Sequence, residues 1–211
     1  EERHDEVRPD VEFTIDRAAN SATITIQGES QVVKAGDWSG WFDVEFEMSR
    51  FVKVQGIIRF MVRSIDPFYV YASPVNIHPK YPPPVGSIST PHEYSAELVE
   101  KTGAYYETLG WAIATNPLKD ELISDDEFHQ DLDFSYNNRW NLIRSELKEK
   151  KFKVLLGVML APDRAQHMFW RYVDPKHPQY KEDVPDRYKY AIRNVYERMD
   201  VIVGEAMEKY I

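Results

Sequence analysis

Between Val11 and Ala72 apolar and polar residues alternate with a period of two. Val11-Glu-Phe-Thr-Ile15 and Ala22-Thr-Ile-Thr-Ile26 each place their apolar side chains on one face, as half-buried strands do, and the Ala18-Ala-Asn-Ser21 link between them suits a hairpin. Gln31-Val-Val-Lys34 reads as a third short strand. The segment 41–48 alternates again, with Phe42, Val44, Phe46 and Met48 on one face. The spacing then predicts one long strand from Val52 to Val62, with Gly56 at a bulge, and another over Phe68-Tyr-Val-Tyr-Ala72. The first third is therefore expected to be β-rich and mostly antiparallel, packed on the rest as an insertion without chemistry of its own.

The period then changes. Residues 73–90 carry Pro74, Pro79, Pro82, Pro83 and Pro84, which exclude helix and ladder alike and predict an extended surface crossing. Thr90-Pro-His-Glu93 has the form of a capping box before a helix with Tyr94, Leu98 and Val99 on its apolar side, and Gly103 is placed to close it. Ser124-Asp-Asp-Glu127 is a second capping box. Phe128, Leu132, Tyr136, Trp140, Ile143 and Leu147 follow it at helical spacing. Near the end, Pro185 opens a last helix whose stripe is Tyr188, Ile192, Val195, Met199 and Ile202. These signals divide the chain into a β-rich section, 1–90, and a helical section, 91–211, with a charged start over 1–10 that reads as a frayed end or linker.

The candidate chemistry lies between the last two helices. Phe152-Lys-Val-Leu-Leu-Gly-Val-Met-Leu160 is short, apolar and rich in branched side chains, which predicts a buried central strand. It stops at Ala161-Pro162, and Asp163-Arg-Ala-Gln-His167 follows. Residues four apart share one face of a helix, so Asp163 and His167 would project together beyond the carboxyl end of that strand, where open α/β sheets place ligands. An oxygen and a nitrogen donor on one turn make half of a zinc-type site, whereas the structural alternative is a solvated ion pair. Phe169 and Trp170 come next. They read as a packing plug for this turn, with a base-stacking platform as the alternative. Arg164 and Arg171 would meet either a phosphate oxygen or a surface carboxylate. His78, His92 and His129 have no partner at ligand spacing, His177 lies in the loop after the motif, and Asp174 is a weak candidate to orient a ligating His167.

The wider string, Asp163-Arg-Ala-Gln-His-Met-Phe-Trp-Arg-Tyr-Val-Asp-Pro-Lys-His-Pro178, resembles the second metal-ligand segment of the type I phosphodiesterase/nucleotide pyrophosphatase family, within the alkaline phosphatase superfamily. Gly36-Asp-Trp-Ser39, Tyr71-Ala-Ser-Pro74 and Ile88-Ser-Thr-Pro91 support it in a similar order, so that the resemblance covers roughly residues 30–210. It implies an α/β protein: part of an α/β/α sandwich holding two divalent metals, usually zinc, that hydrolyses phosphodiester or pyrophosphate bonds of nucleotide-type substrates. Only Asp163 and His167 carry over, as two ligands of one metal. The family's earlier Asp, its Thr or Ser nucleophile, its later Asp-His segment and one further His have no counterpart here. The chain is thus expected to be the middle of a longer enzyme, with no catalytic residue of its own and no turnover alone. A sulfatase-like or phosphomutase-like relative, or a non-catalytic binding module, are the other readings.

Composition adds bounds. The 211 residues are 43% hydrophobic and 13% aromatic, enough for a core. A net charge of −9 argues against a role in gripping nucleic-acid backbones. Zero cysteines exclude disulfides and thiolate ligands while leaving the compartment open. No run reaches the ~20 apolar residues that span a bilayer. The partner that the resemblance implies is a small phosphodiester or nucleotide. Gly-x-Ser-x-Gly and Gly-rich phosphate loops are absent.

Overall fold

The computed structural model describes residues 7–83, 87–109 and 114–210. The first six residues of the expected frayed start over 1–10, and Pro84 of the proline-rich stretch, lie outside the described residues. The chain divides into two compact units, Glu1–Glu127 and Phe128–Ile211.

Unit 1 carries nine strands in three antiparallel sheets among the described residues, β1 (Val11–Asp16), β2 (Ser21–Ile26), β3 (Glu29–Lys34), β4 (Asp37–Trp38), β5 (Phe42–Ser49), β6 (Val52–Ile58), β7 (Phe60–Ile65), β8 (Phe68–Ala72) and β9 (Asn76–Ile77). They pair as β1-β2-β3, β4-β7-β8 and β5-β6-β9. The alternation that marks the strands also sets the register: Val11, Phe13 and Ile15 lie opposite Ile26, Ile24 and Ala22. Ala22, Ile24, Ile26, Val33, Phe42, Val44, Phe60 and Val62 form the core. Phe13, Phe42 and Phe60 add edge-to-face ring contacts at about 6 Å.

Three expectations change here. The long strand over 52–62 is two strands, broken at Arg59. The Arg59 side chain is 1% exposed and lies between the rings of Trp38 and Trp41, at 4.3 and 5.5 Å. Its guanidinium goes inward because two indole faces receive it. Gly56 is not at a bulge. It pairs regularly with Val44 and Ile77, and the irregularities fall at Glu47/Ser49 and Val62/Ser64. A Cβ at Gly56 would come within 2.5 Å of Val75 Cγ1 and 3.0 Å of the Asn76 carbonyl, so the glycine serves a close approach between β6 and β9. Third, the proline-rich stretch is not a surface crossing throughout. Asn76, His78 and Pro79 are buried, and the Asn76 side chain accepts the main-chain N–H groups of Thr108 (2.9 Å) and Leu109 (3.1 Å).

Unit 1 also holds α1 (Tyr94–Thr102) and α2 (Thr115–Lys119). The capping box expected at Thr90–Glu93 does not form. Glu93 is the N-cap, without a side-chain bond, and Ser89 Oγ instead accepts the Ser95 N–H at 3.1 Å. Gly103 closes α1 as expected, at φ 68° with its N–H on the Val99 carbonyl.

A long helix, α3 (Asp125–Glu149), opens on the second capping box. The Ser124 N–H donates to Glu127 Oε2 at 2.5 Å and the Glu127 N–H to Ser124 Oγ at 3.3 Å. Unit 2 continues with α4 (Ala161–Phe169), a 3-10 turn (Trp170–Tyr172), α5 (Asp186–Lys189) and α6 (Ala191–Lys209). Phe128, Leu132, Tyr136 and Trp140 of the α3 stripe are buried, as are Ala191, Val195 and Ile202. Among the described residues no helix is long and apolar enough to cross a membrane.

The expected central strand over 152–160 is absent. The segment has no regular structure, and Val154 (85% exposed), Leu156 (88%) and Val158 (60%) face solvent. The segment passes close to α3 at Gly157, where a Cβ would come within 2.6 Å of Ile143 Cδ1. A strand exists by pairing, and unit 2 has no strand among its described residues to pair with. Apolar content and branching report a preference to be covered, not the presence of a neighbour.

Candidate functional site

The first turn of α4 carries Pro162, whose fixed φ suits that position, and Asp163, whose charge suits the positive end of the helix. Its inner side is Ala161, Ala165, Met168 and Phe169, all buried. Phe169 is 0% exposed and meets the rings of Phe128 (5.7 Å), Tyr172 (6.1 Å) and Tyr188 (5.9 Å). It is the plug that fixes α4. Trp170, one residue on, is 46% exposed and does not share that role.

Arg164 also points inward. Neither a surface ion pair nor a phosphate contact describes it: its side chain and that of Asp131 are both fully buried, with Nη2 2.6 Å from Asp131 Oδ2. The guanidinium stands 5.4 Å from the Phe128 ring. Its Nε and Nη1 are buried with no acceptor among the described residues. A buried charge held by one carboxylate ties α4 to α3 and turns the opposite side of α4 outward.

That outward side carries Asp163 and His167. His167 Nε2 lies 3.6 Å from Asp163 Oδ1, and the two side chains are 55% and 54% exposed. The sequence-predicted pair is thus brought together. Both border a pocket of about 460 Å³ that also includes Gln166, Trp170 and His177. Two donors bound at ~2.1 Å to one tetrahedral cation stand about 3.4 Å apart, so the pair has the span of two ligands. Among the described residues no group of three His, Cys, Asp or Glu side chains forms a complete cation site. The pair fits half of a zinc shell.

The neighbouring candidates resolve differently. Asp174 Oδ1 accepts the Lys176 N–H at 2.9 Å, within its own turn. Arg171 lies over the Tyr172 ring at 4.9 Å. His129, expected to have no partner at ligand spacing, does have one: its Nδ1 is 3.7 Å from Oδ2 of Asp133, four residues on, and its ring lies 6.1 Å from that of Phe169. His92 is exposed and bonds Ser87 Oγ at 3.0 Å. The supporting strings in unit 1 are structural. Ser39 Oγ accepts the Phe60 N–H, Ser73 Oγ accepts the Arg59 N–H, and the Trp38 indole N–H donates to the Glu127 carbonyl.

A cluster in unit 1 had no sequence signal. His78 is 0% exposed, and its Nδ1 accepts the main-chain N–H groups of Lys80 (3.0 Å) and Tyr81 (3.1 Å). Nε2 therefore carries the proton and lies 3.3 Å from Asp43 Oδ1. The Tyr105 hydroxyl donates to Asp43 Oδ2 at 3.1 Å. Burial lowers the His78 pKa, outweighing the Asp43 charge, and burial followed by that charge pushes Tyr105 up to about 12. The partners are 27 to 62 residues apart in the chain, where no spacing rule reaches.

Compared with family models, with curated proteins and with solved structures, the chain matches none.

Proposed function

We propose that this chain belongs to a metal-dependent hydrolase of phosphodiester or pyrophosphate bonds, similar to the type I phosphodiesterase/nucleotide pyrophosphatase family, and that Asp163 and His167 supply two ligands of one divalent metal, most simply zinc. The observation that carries this reading is the 3.6 Å approach of Asp163 Oδ1 to His167 Nε2 on the rim of an open pocket. The specific string 163–178 supports it. On this reading the chain is part of an alkaline-phosphatase-like α/β/α sandwich.

The bound cation would polarise a phosphoryl oxygen. Asp163 would hold it by a charged oxygen, His167 by a neutral ring nitrogen, and the Arg164–Asp131 pair would keep both on one side of α4. A half-site binds weakly and leaves the chain without turnover, because a stable zinc site uses three or four ligands.

The test follows His167 by NMR while Co2+ or Zn2+ is added. The expected result is a saturable perturbation of its ring signals, lost in Asp163→Ala. Equal perturbation of all six histidines, or an unchanged response in the variant, refutes the assignment.

A further inference from the structure

The β5–β6 hairpin of unit 1 carries its apolar face past the end of the core. On β5, Phe42 and Val44 are buried, Phe46 is half-buried and Met48 is exposed. The returning strand repeats the gradient, with Gly56 buried, Val54 half-buried and Val52 exposed. Val44 pairs with Gly56 and Phe46 with Val54, and Met48 and Val52 continue the period of two on the same face. Phe51, in the turn, is 90% exposed. The opposite face is charged: Lys53 Nζ lies 2.6 Å from Glu45 Oε1 and 3.1 Å from Glu47 Oε1. The Gln27 side chain clamps the ribbon at Glu45, donating to its carbonyl (2.8 Å) and accepting its N–H (2.9 Å). Beyond that clamp the hairpin holds Met48, Phe51 and Val52 out in water, which a turn has no structural need to do.

We infer that this tip is a membrane-docking site, where Met48, Phe51 and Val52 enter the interface of a zwitterionic lipid bilayer and Arg50 meets the headgroup phosphates. Area excludes a folded protein as the occupant. A stable interface takes about 800 Å² from each partner, and three side chains on a two-stranded turn supply only a fraction of it. A bilayer makes no such demand, because each apolar side chain gains its own transfer from water. Charge selects the kind of bilayer. Lys53 is neutralised by two glutamates, which leaves Arg50, its guanidinium 5.8 Å from the Phe51 ring, as the cation of the turn. The net charge of −9 opposes an anionic surface, so phosphatidylcholine is the matching one. Nothing here crosses the bilayer, and the inference does not depend on the metal reading.

The experiment sediments the whole chain with phosphatidylcholine vesicles. The parent is expected to go down with the vesicles, with a partition coefficient that high salt does not reduce. Phe51→Ser should lower that coefficient roughly tenfold or more. Val32→Ser removes an equally apolar side chain, 72% exposed on β3, and should leave it unchanged. Both positions are exposed, so neither variant threatens folding. Depth gives a second readout. The chain has no cysteine, so Val52→Cys and Val32→Cys each carry a single nitroxide. With vesicles present, the label at 52 should gain contact with dissolved oxygen and lose contact with a water-soluble nickel complex, while the label at 32 keeps both. A parent that stays in the supernatant, equal sedimentation of Phe51→Ser, or a label at 52 as open to nickel as the one at 32 overturns the inference. So does binding that requires phosphatidylserine and vanishes in salt, which is adsorption by charge alone.

Discussion

Replacing Asp131 by Ala isolates the energetic weight of the buried pair that orients α4. The Arg164 guanidinium sits at 0% side-chain exposure with one carboxylate oxygen at 2.6 Å, while Nε and Nη1 have no acceptor among the described residues. Removing Asp131 strands a buried cation. Breaking such a pair from one side costs about 3–5 kcal/mol, which is far more than a surface pair contributes. A unit the size of Phe128–Ile211 has roughly 4–12 kcal/mol in total, so the variant should lose a large share of its stability. Urea unfolding read by far-UV circular dichroism gives the number. With a slope of ~1–2 kcal/mol/M, the transition assigned to the helical unit should move down by about 1.5 M or more. The double variant Asp131→Leu with Arg164→Met removes both charges and should fall within about 2 kcal/mol of the parent, since apolar replacement of a buried pair is close to neutral. A loss below 1 kcal/mol for Asp131→Ala alone would refute the reasoning.

Two further outcomes test unit 1. Gly56→Ala should cost about 1–3 kcal/mol by melting temperature, because the new methyl meets Val75 Cγ1 at 2.5 Å and the Asn76 carbonyl at 3.0 Å. Val75→Ala in the same chain should recover only part, as the carbonyl contact remains. His78 is held neutral in the folded chain, so its contribution to stability is complete above the ordinary value of 6.5 and is lost as pH falls through its lowered folded value. The unfolding free energy measured from pH 7 to 5 should therefore drop more steeply in the parent than in His78→Gln; parallel slopes would show that the ring carries no such linkage.

What was legible in the sequence follows a rule of range. The hairpins, the Ser124–Glu127 box, the stripe Phe128–Trp140 and the joint projection of Asp163 and His167 all depend on residues within a turn or a strand of one another. Periodicity encodes those distances directly. The features that escaped depend on remote partners. Arg164 gave no sign that Asp131 would take it inside, and Arg59 gave none that two indoles would break a strand. Phe169 and Trp170 are adjacent and chemically alike, yet one is sealed by Tyr188 and Phe128 and the other opens onto the pocket. His78, just past β9, meets Asp43 of β5, a strand that β9 does not even pair with, and no local pattern dictates that approach.

The segment 152–160 also governs how the chain behaves in a tube. Val154, Leu156 and Val158 form a short ribbon of high β-propensity facing water, the kind of sequence that seeds fibrous precipitates. Lys150 and Lys153 stand beside it as gatekeepers, repelling a second molecule that approaches in the same orientation. Their reach is only about 10 Å at 0.1 M ionic strength and shrinks to ~3 Å at 1 M. Purification steps in concentrated salt thus remove the guard while strengthening the attraction, and turbidity should rise with both ionic strength and protein concentration.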